Sequence, residues 1–287
     1  MAHVQGRHPS PGAAPDAFLR CEAASYHGRM SDVIEDDVAP VGDISPPPGV
    51  PFLTAEWRDL IGVTFPCPAD QLAPYLPPGA TIDTLEGSPR VSLVAFAFSR
   101  TRVLGVPVPG HIRFSEINLR FYVRYRGQRA VVFIRELVPR RAIATIARLR
   151  YNEPYVRVPM SCGRELDAAS GSVRVWHRFA KGSSVAVTAS ATGTVPEPGS
   201  PGHWLTDHAL GIGRRRNGAA VLYHVAHPTW ALHDIAAIDL DVDFAAVYGP
   251  SWAWLADTQP SHVSLATGSA VTVSRPMAPA AASRARA

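Results

Sequence analysis

Between Phe114 and Tyr125 the chain alternates. Ile117, Leu119, Phe121 and Val123 fall on one side of an extended strand, and Phe114, Glu116, Asn118, Arg120 and Tyr122 on the other, because successive strand side chains point to opposite faces. The first set is a core face. The second is an acid, an amide and a guanidinium in a row with an aromatic ring at each end, its members roughly 6–7 Å apart. Alternation alone is also what a half-solvated antiparallel strand shows. The bracketing rings, and the lack of Lys, Thr or Ser in the row, favour a pocket in which a few placed polar groups sit among apolar ones.

The same patterning sets out the rest of the chain. Phe52 to Phe65 predicts a first strand region, containing Trp57, and Pro68 to Leu76 a short helix ended by Pro77-Pro78-Gly79. Strands are predicted for Thr81–Thr84 and Val91–Phe98 around a Glu86-Gly87 turn, and for Ala130–Leu137 after a turn at Arg126-Gly127. From Arg141 to Tyr151 the period becomes helical, with Pro154 just beyond. Tyr155–Ser161, Ser172–Phe179 and Val185–Thr192 predict strands, the last two joined at Ala180-Lys181-Gly182, and a loop runs from Val195 to Gly202. Ala219–Ala226 and Ile238–Phe244 predict strands, Ala245–Leu255 is helical, and Val263 and Val271–Val273 are extended. Many short strands against a few short helices predict an α+β, mostly antiparallel barrel or curved sheet with helices packed on it.

Composition narrows the class. Residues 1–48, rich in Pro, Gly and Ala and without apolar period, read as a disordered tail, with Met30 a second candidate start. Residues 49–276 read as a single domain, and 277–287 as a second disordered tail. The net charge is +4, and the basic residues are Arg except for Lys181. Arg214-Arg215-Arg216 runs into Asn217-Gly218 as a solvated hairpin end, so no nucleic-acid partner is expected. No apolar run is long enough to span a membrane and no secretory signal opens the chain, which leaves a cytoplasmic protein without a membrane partner as the expectation. Cys21, Cys67 and Cys162 are odd in number and far apart, with no disulfide framework and no zinc ribbon.

Candidate chemistry is sparse. His224 and His227 are three apart on a predicted strand, so they face opposite ways and do not make a metal pair. Asp239, Asp241 and Asp243 share a strand face at a spacing too wide for a calcium cage, and read as solvated. No metal and no cofactor are expected. Gly211-Ile-Gly213 lacks the third glycine and the strand-before-helix context of a dinucleotide site. His227, held by Pro228 and close to Trp230, is either a general acid or base or a structural histidine bonded to loop backbone.

Five separated stretches carry a resemblance. Trp57-Arg58-Asp59-Leu60, Pro77-Pro78-Gly79 with Asp83-Thr84 and Gly87, the Phe114-to-Val123 strand, Pro154-Tyr155, and His227-Pro228-x-Trp230-x-Leu232 occur in this order. The chain from Phe52 to Pro276 resembles the YqjF-like family of uncharacterised bacterial proteins, itself similar to the acetoacetate decarboxylase superfamily. The resemblance implies a cone-like β-barrel or curved double sheet enclosing a small-molecule pocket, often in a homo-oligomer. It also implies that Glu116 matches the superfamily's pocket glutamate. The decarboxylases use a lysine that forms a Schiff base, in a pattern like Gly-Arg-Glu-Leu-x-x-Tyr-Pro-Lys-Lys. Here the corresponding stretch is Ala147 to Val156, with Tyr155 and Val156 in place of the two lysines. Imine chemistry needs a primary amine, so the Schiff-base route is not expected. Asp207-His208-Ala209 also departs from the family pattern, in which an acidic-basic-aromatic trio follows the threonine.

Two functions follow. In the first, a lysine-independent lyase or isomerase/cyclase acts on a keto acid or polyketide-like carbonyl compound, with Glu116, Tyr155 and His227 as acid/base residues. Phe114, Asn118, Arg120, Tyr122 and Trp230 then bind the substrate, Arg120 anchoring an anionic oxygen. In the second, a non-catalytic barrel holds a small ligand, and Glu116 and Arg120 form a structural ion pair.

Overall fold

A computed structural model describes residues 49–107, 112–139, 154–215 and 217–278. The expected alternation becomes strand over most of this length. In chain order the elements are β1 (Leu53–Pro66), α1 (Ala69–Leu72) with a 3-10 turn (Ala73–Tyr75), β2 (Ala80–Ile82), β3 (Thr84–Leu85), β4 (Ser88–Val103) and β5 (Val106–Pro107). Next come β6 (Phe114–Tyr125), β7 (Gln128–Val138), β8 (Tyr155–Arg157), β9 (Met160–Asp167), β10 (Ser172–Phe179) and β11 (Ser183–Thr194). The last are α2 (Pro201–Thr206), β12 (Leu210–Arg214), β13 (Ala220–Ala226), β14 (Leu232–Asp241), α3 (Phe244–Tyr248), a 3-10 segment (Pro250–Asp257) and β15 (His262–Val273).

The strands form one sheet whose path closes on itself. β1 pairs with β4, β4 with β6, β6 with β7, β7 with β12, β12 with β13, β13 with β15, and β15 again with β1. From β15 an arm continues through β14, β11 and β10 to β9. Pairing is antiparallel except for β7 with β12 and with β8. The expected mostly antiparallel, curved α+β architecture is what is found. The Ile117, Leu119, Phe121 and Val123 face of β6 joins the main apolar core, together with Val173, Val175, Val185 and Val187 of the arm and with Phe244 and Trp252. The opposite face of β6 turns into the ring, where Phe114 meets Phe96, Phe98, Trp57 and Trp230. Neither face is in water: Glu116 and Asn118 are 4% and 1% exposed. The half-solvated alternative for this strand does not hold, because the closed ring covers the side that an open sheet would leave wet.

Several boundaries differ from the expected ones, each for a local reason. Tyr155–Ser161 is two strands, since Pro159 has no N–H to carry a ladder on. The loop after β11 ends at Ser200, whose hydroxyl accepts from His203 N and caps α2, with Pro201 at the first helical position. β14 begins at Leu232 and stops before Asp243, which turns out of the strand to cap α3 at Ala246 N. Val263 and Val271–Val273 belong to one strand, β15, which passes through Gly268 in the left-handed region at φ +81°. Met277 pairs with Leu222 through two backbone hydrogen bonds, beyond the expected domain end. The helix expected over Arg141–Tyr151 and the tail over 1–48 lie outside the described residues.

Candidate functional site

The polar row of β6 is extended sideways by its neighbours. Asn118 lies opposite Glu136 on β7, and Glu136 lies opposite Tyr155 on β8. Alternation with Ala130, Val132 and Ile134 would send Glu136 into the main core with them. Instead Leu119 pairs with Arg135 and Arg120 with Phe133, so Ile134 is an extra residue and the faces exchange beyond it. The bulge delivers a second carboxyl, 2% exposed, to the ring interior. Sequence reasoning missed Glu136, since nothing in the pattern marks the bulge.

Glu116 is the centre of this cluster. Tyr155 donates its hydroxyl to Glu116 Oε2 at 3.1 Å, and the Asn118 amide donates to Oε1 at 3.3 Å. Burial pushes the Glu116 carboxyl up to about 7, against the opposing pull of those two hydrogen bonds and of Arg120. The Tyr155 phenol is held well above its usual range by burial and then by Glu116 and Glu136, with which it also hydrogen-bonds. A phenol between two carboxyls has one proton of its own, so a single protonated carboxyl completes a chain along which a proton can shift either way. Arg120 makes no ion pair or hydrogen bond with Glu116 among the described residues. Its guanidinium lies over the Tyr122 ring at 5.8 Å, and its buried Nε has no partner.

Arg120 instead lines a cleft of about 380 Å³, open solvent included, together with Trp57, Phe133, Tyr223, His208, His227 and Trp230 among others. Glu116, Asn118 and Tyr155 are not among the residues that line the cleft; Tyr223, which is, acts electrostatically on Tyr155. His227 stacks on Trp230 with ring centres 3.9 Å apart, and its Nδ1 donates to Pro228 O at 2.9 Å. A carbonyl only accepts, so Nδ1 carries the hydrogen and the neutral ring keeps its lone pair at Nε2. Burial and Arg120 lower the His227 pKa, while the Pro228 carbonyl and Asp207 raise it, and the net shift is downward. Trp230 gives its indole N–H to Ser269 Oγ at 2.8 Å and serves as a wall. Phe114 stacks on Phe98 at 4.4 Å, and Tyr122 bonds inward to Ser92 Oγ at 2.7 Å. Neither of these two lines the cleft; they pack beside it.

His208 was not singled out as a site residue. It is 7% exposed, packs on Tyr122 at 4.7 Å and Trp204 at 5.3 Å, and lines the cleft. The signal was present in Asp207-His208-Ala209, which departs from the family pattern. Gly211, set aside as part of a dinucleotide fingerprint, is mid-strand: a Cβ there would lie 2.3 Å from Tyr223 Cζ, so the missing side chain makes room for that ring. Lys181 is exposed on the β10–β11 turn at φ +56° and does not line the cleft. Cys67 is buried and Cys162 exposed, both as free thiols. Among the described residues no three His, Cys, Asp or Glu side chains are grouped to hold a metal ion, and no helix is long and apolar enough to cross a membrane.

The closed strand path with its lateral arm gives the class, an acetoacetate decarboxylase-like fold. Solved structures agree. The enduracididine biosynthesis enzyme MppR, complexed with pyruvate, superposes with a TM-score of 0.57 at 13% identity, over 82% of this chain and 91% of its own. Acetoacetate decarboxylase from Legionella pneumophila superposes at 0.55 and 13% identity, over 86% and 93%. An acetoacetate decarboxylase-like enzyme from Sphingomonas wittichii RW1 superposes at 0.53 and 14% identity, over 84% and 99%. By sequence, the chain belongs to the DUF2071 family of uncharacterized conserved proteins, whose model matches residues 54–270. The uncharacterized protein YqjF of Bacillus subtilis is 29% identical over 127 residues, which are 44% of this chain; the chain spans about half the length of that curated relative.

Proposed function

We propose that this protein is a small-molecule enzyme that acts on a keto acid or polyketide-like carbonyl compound by acid/base chemistry without a lysine. Dehydration, aldol-type cleavage, isomerisation and cyclisation all fit the parts present. The observation that carries the reading is Glu116, a buried carboxyl poised near neutrality and hydrogen-bonded to Tyr155, close to a cleft with an unpaired guanidinium. A general acid or base works best with a pKa near the working pH. Arg120 anchors the substrate carboxylate, the Glu116–Tyr155 chain supplies and takes back a proton, and the Nε2 lone pair of His227 serves the opposite wall. MppR, of similar fold, is complexed with pyruvate, which supports a keto acid as the first class to try. The rival reading is a non-catalytic ligand-binding barrel; the structural Glu116–Arg120 ion pair that it included is absent among the described residues.

Proton exchange tests this without knowledge of the full reaction. Pyruvate and 2-oxobutyrate in deuterated buffer are expected to take up deuterium next to the carbonyl faster with the protein than without it. Glu116→Gln is expected to slow that uptake about 100-fold, within the range of general acid/base contributions, while ligand-induced thermal shifts persist. Arg120→Met is expected to abolish the shifts. Binding with no exchange in wild type would make the protein a ligand carrier instead.

A further inference from the structure

His208 is used by none of the steps above, yet it is the most polar-deprived group in the cleft. Its ring is more than nine-tenths buried between Tyr122 and Trp204, and among the described residues neither Nδ1 nor Nε2 has a hydrogen-bond partner. Buried histidines placed for packing alone normally satisfy at least one nitrogen, because an unpaired buried polar atom costs free energy. Two further cleft-lining side chains share the condition: Arg120 Nε and Trp57 Nε1 are buried and unpartnered as well. Thr206, by contrast, already gives its hydroxyl to Gly202 O at 2.9 Å.

The unpaired groups specify a ligand chemistry. Burial, then the charges of Arg120, Arg129 and His227, hold His208 neutral. A neutral imidazole has one N–H donor and one lone-pair acceptor. Arg120 and the Trp57 indole only donate, which suits a carboxylate. A bare carboxylate cannot satisfy the acceptor nitrogen of His208, whereas an O–H beside it can. Arg120 and His208 line the same cleft, and the Arg120 charge acts on the His208 ring, so one small ligand can meet both. The walls of Trp57, Phe133, Tyr223 and Trp230 suit an apolar or unsaturated body.

The geometry points to a hydroxy-acid subsite: Arg120 holds the carboxylate and His208 accepts a hydrogen bond from a neighbouring hydroxyl, either an alcohol or the enol of a 2-keto acid. This rests on the Arg120 anchor of the proposed function, and goes beyond it by naming the second group of the substrate and the residue that reads it.

Three related probes separate the two claims: mandelate, phenylacetate without the hydroxyl, and 2-methoxy-2-phenylacetate, which keeps the oxygen, loses its proton and adds a methyl group. Quenching of tryptophan fluorescence gives the affinities. Mandelate is expected to bind about tenfold more tightly than either of the others, the worth of one hydrogen bond to a buried group. In His208→Phe the three are expected to converge, and in His208→Gln, which restores a donor and an acceptor, the preference is expected to return in part. Equal binding of the three by wild type overturns the His208 inference and leaves the carboxylate anchor standing. Binding of none at millimolar concentration overturns both. If His208→Phe does not fold, the wild-type comparison decides by itself.

Discussion

At the scale of the residue, Glu116 and the buried histidines make opposite demands on pH. The folded Glu116 carboxyl titrates near 7 against an ordinary 4.5, so the native state keeps a proton that the unfolded chain has released. Between those values stability falls as pH rises, by on the order of 3 kcal/mol for a shift of this size. His177, buried and lowered to about 4 from 6.5, works the other way, as does His208. The unfolded chain takes up protons that these rings refuse, and stability is lost as pH falls below 6.5. Glu116→Gln isolates the first effect, since Asn118 and Tyr155 can still bond to an amide. In urea unfolding at pH 5 and pH 8, the variant is expected to gain stability relative to wild type at the higher pH. Parallel behaviour of the two proteins would mean an ordinary, ionised Glu116. Of these residues, Glu116, Asn118 and Arg120 were legible from alternation and bracketing rings. His208 carried only a negative signal, a departure from a pattern.

At the scale of the element, two irregular strands shape the site. The bulge at Ile134 turns Glu136 inward and Leu137 outward, reversing the parity of β7 halfway along its length. On β12, Gly211 faces Tyr223 on β13 and leaves room for its ring. Gly211→Ala is expected to drive the Tyr223 ring toward the cleft, lowering stability by about 1–3 kcal/mol and weakening ligand binding along with it. Gly163→Ala, which meets Trp176 at 2.5 Å on the arm, is the control: it is expected to cost stability without changing binding. Equal binding by wild type and Gly211→Ala would remove Tyr223 from the site. Turn positions were legible in advance, since Glu86-Gly87, Arg126-Gly127 and Lys181-Gly182 all have positive φ where sharp reversals were predicted.

At the scale of the molecule, the ring closes on few rungs. β7 meets β12 at Gly211–Val131, and β13 meets β15 at Val225–Val273 and Ala226–Thr272. The segment beyond β15 reinforces this seam: Ser274 N donates to His224 O, Ser274 Oγ accepts from His224 N, and Met277 exchanges two backbone bonds with Leu222. Removing residues 274–287 is expected to lower the melting temperature by roughly 5–15 °C and to weaken ligand binding, because β13 carries Tyr223 and Val225 of the cleft. An unchanged melting temperature would show that the seam holds without its C-terminal strap.

What the chain determined by itself is local. Period-two alternation, glycine turns and proline breaks depend on neighbours in sequence, so strands, hairpins and the polar row of β6 could be read directly. The tertiary structure decided what depends on distant partners. Ring closure made both faces of β6 buried and so raised the Glu116 carboxyl. A bulge in β7 and the parallel docking of β8 brought Glu136 and Tyr155 to it. The turn after α2 set His208 beside Arg120. Burial and charge proximity are sums over residues far apart in the chain, and no local pattern contains them.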